Sequence, residues 1–132
     1  MEATTEYGIR KILDCTYEEA IPKVKAALAE QGFGILTEIN VKETLKKKLD
    51  VEFPKYIILG ACNPPIAHET LKAEREIGLL LPCNVIVYEN EDGKTVASAI
   101  DPVKMIDIVN NSELQSQAVK VRELLQQAIN AL

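Results

Sequence analysis

With 132 residues, 47% of them hydrophobic and 27% charged, the chain is long enough for one hydrophobic core and too short for two, and a core of that size folds without disulfide or metal staples. Twenty acidic residues against fifteen basic ones leave a net charge of -5, which excludes a dedicated binder of nucleic acid, since such proteins carry a basic face. The longest apolar run, Tyr56–Cys62, falls far short of the ~20 residues that cross a bilayer, so no membrane partner is expected.

Residues 7–13 alternate weakly and predict a first strand. Thr16 and Glu19 then form a capping box that starts a helix at Tyr17. Its apolar stripe is Tyr17, Ala20, Ile21, Val24, Ala27 and Leu28, and Gly32 sits where a left-handed helix end is expected. Pro22 falls too deep for the first turn and predicts a kink, or a regular helix confined to the residues after it. Ile35, Thr37, Ile39 and Val41 alternate along residues 34–41 as one face of a second strand. Val41, Leu45 and Leu49 then recur every four residues in a short amphipathic helix. Lys42, Lys46, Lys47 and Lys48 surround that stripe, either as a solvated face or as an anion-attracting rim.

The run Tyr56–Cys62 is apolar throughout, as in a strand covered on both faces or lying at a dimer contact. Asn63 as N-cap, with Pro64 and Pro65 in the first turn, opens a helix expected to run to Ile77. Gly78 should stop it, leaving Leu79 to Leu81 as an extended linker. Residues 83–89 and 94–100 read as two strands of a hairpin closed by Asn90, Glu91, Asp92 and Gly93. Asp101 and Pro102 begin a short helix reaching Val109, and Ser112 with Gln115 forms a second capping box before a C-terminal amphipathic helix at 113–131. Its seam is Leu114, Ala118, Val121, Leu125, Ala128 and Leu132, suited to packing on the sheet or to a subunit contact. The order β-α-β-α-β-α-β-β-α-α predicts one α+β domain over 1–132. Its expected form is a two-layer sandwich with helices on one face of a mixed or antiparallel sheet of about five strands. No glycine-rich phosphate loop follows any strand, which disfavours a dinucleotide-binding fold.

Residues 1–16 contain Glu2, Glu6, Arg10 and Lys11 and no apolar run of signal-peptide length. The three cysteines, Cys15, Cys62 and Cys83, are an odd number and suit reduced thiols, so a cytoplasmic location is expected. Cys62 ends a strand directly before a helix start, where the positive end of the helix dipole favours a thiolate. Cys83 opens the next strand in the frame Pro82-Cys83-Asn84, which echoes Cys62-Asn63-Pro64, and His68 lies on the intervening helix. Cys62, His68 and Cys83 are ligand types that zinc or copper accepts, although their spacing matches no metal motif. A Cys62/His68 dyad is the one nucleophile–base pair available. Buried, chemically inert cysteines are the plainer alternative.

The stretches Leu59-Gly60-Ala61-Cys62-Asn63-Pro64, Ala67-His68, Ile77-Gly78-Leu79-Leu80-Leu81-Pro82-Cys83-Asn84 and Val87-Tyr88 resemble the domain-of-unknown-function 302 family. The resemblance extends to residues 32–39, to Lys47-Lys48-Leu49 and to Asp101-Pro102, and so covers most of 5–110. It implies a small α+β domain, a homodimer, and no established activity.

Three functions follow as expectations. The first is a binding module taking a small molecule or metal ion, with Cys62, Asn63, Cys83 and Asn84 as its ligand-binding residues and Cys62, His68 and Cys83 as metal ligands. The second is a thiol-dependent enzyme using Cys62. The third is a dimeric assembly protein without a ligand.

Overall fold

A computed structural model describes residues 6–132; residues 1–5 of the expected domain lie outside the described residues. Strands β1 (Gly8–Leu13), β2 (Gly34–Asn40), β3 (Tyr56–Cys62), β4 (Cys83–Glu89) and β5 (Thr95–Ile100) form one sheet in the order β1-β5-β4-β3-β2. Every neighbouring pair is antiparallel. Helices α1 (Tyr17–Glu30), α2 (Val41–Leu49), α3 (Pro64–Ala73), α4 (Pro102–Ile106) and α5 (Ser112–Asn130) accompany it, and a 3-10 helix (Arg75–Leu80) leads from α3 into β4. The chain is an α+β sandwich with an open, wholly antiparallel sheet.

Local chemistry accounts for most element ends. Thr16 Oγ1 accepts from the Glu19 N–H at 3.1 Å while Glu19 Oε1 accepts from the Thr16 N–H at 3.1 Å, which closes the capping box of α1. At its other end the Phe33 N–H reaches the Leu28 carbonyl (2.9 Å) and the Gly32 N–H reaches that of Ala29 (3.0 Å), a Schellman motif. Gly32 carries the positive φ of +87° that the motif demands. The expectation that Pro22 confines the regular helix to later residues is corrected: α1 runs unbroken through it. The missing donor leaves the carbonyl four residues back, at Glu18, without its helical partner, on an exposed residue of the first turn. The shared face expected for Ile35, Thr37 and Ile39 is also corrected. A bulge lies between Ile35 and Thr37, so Ile35 pairs with Ala61 on one face while Thr37 and Ile39 pair with Gly60 and Ile58 on the other.

The helix expected to reach Ile77 ends at Ala73. Glu74 adopts an extended conformation (φ -148°), and Asn111 at the start of α5 donates to the Ala73 carbonyl (3.4 Å) and to Glu74 Oε1 (3.3 Å). The 3-10 turn that follows puts Ile77 into a small core with Ile106, Leu114 and Ala118 and takes up Leu79 and Leu80 of the expected linker, leaving Leu81 extended. Helix α4 stops at Ile106 rather than Val109. Asn111, not Ser112, caps α5, accepting from the Glu113 N–H at 3.0 Å.

The main core lies between one sheet face and the pair α1/α5. Leu59, Val85, Val87 and Ala97 from the central strands meet Val24 and Leu28 of α1 and Leu125 and Ile129 of α5. The α5 seam therefore turns inward, with Ile129 taking the buried place expected of Leu132.

Asp101 closes the structure where β5 passes into α4. It is 7% exposed, accepts from the Val103 N–H at 3.0 Å as the α4 cap, and receives Arg122 Nε of α5 at 3.0 Å. Loss of a cap costs about 1 kcal/mol, and an ion pair whose arginine is half exposed adds at most about another. Asp101→Ala is expected to lower urea-unfolding stability by about 2 kcal/mol. Asp101→Asn, which keeps the cap, is expected to lower it by about half as much.

Candidate thiol-lined site at the sheet end

Cys62 and Cys83 stand on neighbouring central strands because Ala61 pairs with Cys83 in the β3/β4 ladder. Alternation along β4 turns Cys83 inward with Val85 and Val87 and turns Asn84 outward. Cys62, one residue past the inward Ala61, lies half-buried at the sheet rim. Both cysteines border a cavity of about 50 Å³ between the sheet end, α3, the 3-10 turn, α4 and α5. Asn63, Thr70 and Gln117 are the other polar residues on its wall.

Asn63 occupies the N-cap position of α3 without capping it. Its Nδ2 donates instead to the Gln31 carbonyl at 3.3 Å, tying the start of α3 to the end of α1. A Cβ at Gly32 would stand 3.0 Å from that same Nδ2, so the tie depends on glycine there as much as the helix end does. Pro64 and Pro65 fill the first two helical positions. Neither carries an N–H, so the helix start beside Cys62 presents fewer donors than the sequence pattern suggested.

Burial first, and the neighbouring Cys62 second, push the Cys83 thiol up to about 11. Cys83 is therefore a neutral thiol at pH 7. Thr70 Oγ1 donates to the Gln117 side-chain oxygen (2.7 Å) and back to the Ile66 carbonyl (2.8 Å), sharing one proton between two acceptors.

Of the residues singled out from the sequence, Cys62, Asn63 and Cys83 border this cavity, and His68 and Asn84 do not. His68 is exposed on α3, and Asn84 is exposed on the opposite sheet face, beside Arg10 and Tyr88. Among the described residues no group of three His, Cys, Asp or Glu side chains is placed to hold a metal ion. The α2 lysines lie away from the cavity, and Lys46 pairs with Asp50 (2.8 Å) and Glu52 (3.1 Å). Thr70 and Gln117 went unremarked in the sequence because they are 47 positions apart and join only when α3 meets α5.

The fold places the chain in the class of small α+β domains with a single antiparallel sheet, and in this chain β3 and β4 each carry a terminal cysteine at a shared recess. Within that class the chain belongs to the family described as domain of unknown function DUF302, which it matches over residues 9–132. The match runs through α5, beyond the residue-110 limit of the motif resemblance. A solved relative is an uncharacterized conserved DUF302 protein from Bacillus stearothermophilus. Its crystal structure superposes with a TM-score of 0.89 at 25% identity, covering 96% of this chain and 98% of that one. No curated protein matches the chain. Among the described residues no helix is long and apolar enough to cross a membrane.

Proposed function

We propose that this chain is a small-ligand binding protein whose site is the cavity bordered by Cys62, Asn63 and Cys83. One observation carries the reading: a buried thiol and the Thr70–Gln117 pair border one recess in an otherwise apolar wall. A few convergent polar groups in an apolar recess is the general form of a ligand site. The volume of about 50 Å³ sets the scale. A water molecule needs roughly 10–15 Å³ on this measure, so the occupant is a metal ion, a molecule of a few heavy atoms, or the tip of a larger one.

Zinc or copper bound by Cys62 and Cys83 would draw its remaining ligands from solvent or a second molecule, since no third conventional ligand among the described residues joins them. Thiol catalysis is less favoured. The reading needs a base beside Cys62, and His68, the one imidazole, stands exposed and off the cavity wall that Cys62 borders.

The test is a nuclear magnetic resonance titration of anaerobic protein with Zn(II), Cu(I) and a set of neutral fragments of a few heavy atoms. At least one is expected to shift the Thr70, Cys83 and Gln117 amides saturably. Gln117→Leu, which removes the partner of Thr70 and narrows the recess, is expected to weaken a fragment and spare a metal. A folded wild type in which no probe moves these amides would defeat the reading.

A further inference from the structure

The recess at the sheet end is bordered by more sulfur than its two cysteines supply. Met105 of α4, half-buried and the one methionine among the described residues, lies on the wall with Cys62 and Cys83. The Asp101 carbonyl accepts from the Met105 N–H at 3.2 Å, and the Asp101 carboxylate caps the same helix and holds Arg122 of α5. The residue that seats α4 against α5 therefore seats the thioether as well. Three separate elements, β3, β4 and α4, bring two thiols and a thioether to a cavity of about 50 Å³.

Most of the remaining wall is hydrocarbon, with Phe33, Ile66, Leu81, Ile106 and Val121 prominent, and no described residue bordering the cavity is charged. Such a setting discriminates between metals. Zinc takes thiolate, imidazole and carboxylate and fills four positions, so with two cysteines it would have to draw two waters into a largely apolar recess. Monovalent copper accepts thioethers as well as thiolates and needs fewer donors. Each thiol that binds gives its proton to solvent, and two thiolates around one cuprous ion leave a single negative charge. Cys62 stands at the start of α3, where the positive end of the helix dipole offsets that charge.

We propose that the recess binds a monovalent copper ion through the sulfurs of Cys62, Cys83 and Met105. The thioether takes the third position for which the sequence offered His68, a residue exposed on α3 and off the cavity wall. This assignment rests on reading the recess as a ligand site, and it narrows the occupant to a soft cation of low coordination number.

The experiment loads anaerobic, selenomethionine-labelled protein with Cu(I) and reads the neighbours of copper by X-ray absorption. Copper is expected to show sulfur and selenium neighbours. Met105→Leu, which leaves Met1 as the one selenium, is expected to lose the selenium neighbour and keep the sulfurs. Leucine is close to methionine in volume, so the fold should hold. In competition with the Cu(I) chelator bicinchoninate, the variant is expected to bind copper at least about tenfold more weakly, the low end of what even an outer-shell group contributes to metal affinity. Excess Zn(II) is expected to leave the copper in place. A wild-type copper ion without a selenium neighbour would overturn the assignment whether or not the variant folds, and so would displacement by Zn(II). A recess that takes a neutral fragment and no copper would also overturn it while the ligand site itself stood; if no probe enters, both fall together.

Discussion

Leu125→Asp is expected to abolish the cooperative unfolding transition and leave a chain with no folded population at 25 °C. Leu125 is fully buried in α5 against the sheet and α1. Removing a leucine side chain from such a site costs about 2–5 kcal/mol. Placing a carboxyl group there without a partner adds several more, even when the group neutralises itself by binding a proton. The sum reaches the ~5–15 kcal/mol that holds a domain of this size together. Val119→Asp, on the same helix and 47% exposed, is expected to stay within about 0.5 kcal/mol of the wild type. Circular dichroism with light scattering separates this from the alternative in which the α5 seam is a subunit contact. A charge at such a contact would leave a folded chain that fails to associate, and that outcome would show α5 to be misplaced.

The inward turn of α5 was open in the sequence for a physical reason. Leu114, Ala118, Val121 and Leu125 make a stripe that suits a sheet or a second helix equally, and only the sheet behind it decides. Elements whose ends rest on local bonds were legible residue by residue: Thr16 with Glu19, Gly32 after α1, and Asp101 with Pro102. Two of the failures share one cause, which is that a distant segment outbid the local signal. Asn63 has the identity and position of a cap, yet its amide reaches back to Gln31. Helix α3 would continue past Ala73 on propensity alone, but Asn111 from α5 holds its end and Ile77 is drawn into the second core.

The candidate site was legible in part, along the same division. Two Cys-Asn pairs at the ends of successive strands suggested one shared corner, and antiparallel pairing does bring Cys62 and Cys83 to neighbouring strand ends. The error over Asn84 came from treating Cys83-Asn84 as a unit when a strand sends adjacent side chains to opposite faces. Parity was already readable from Val85 and Val87. The contact of Arg10 with Tyr88 was not, because the 78 positions between those residues close only through the order β1-β5-β4.

Cys83 should make the fold lose stability in alkali within a defined window. Its ordinary value is 9.0, and burial raises it to about 11. Between those limits the unfolded chain has released the thiol proton and the folded chain still holds it. The folded state binds more protons there, so stability falls as pH rises. Below pH 9 the contribution is fully present; by pH 11 about 2–3 kcal/mol is lost. Burial also raises Tyr17, and Tyr56 likewise, which act in the same direction from about pH 10 upward. Urea unfolding of the wild type and of Cys83→Ala at pH 8 and pH 10.5 isolates the thiol, since the tyrosines are common to both. The wild type is expected to lose most of that 2–3 kcal/mol relative to the variant between the two pH values, and parallel curves would mean that water reaches the sulfur. The same proton governs ligand chemistry in the cavity. A metal bound through the Cys83 thiolate must displace it, so metal affinity should climb at least tenfold for each pH unit as far as about pH 11, whereas a neutral fragment should bind equally well at pH 6 and pH 8.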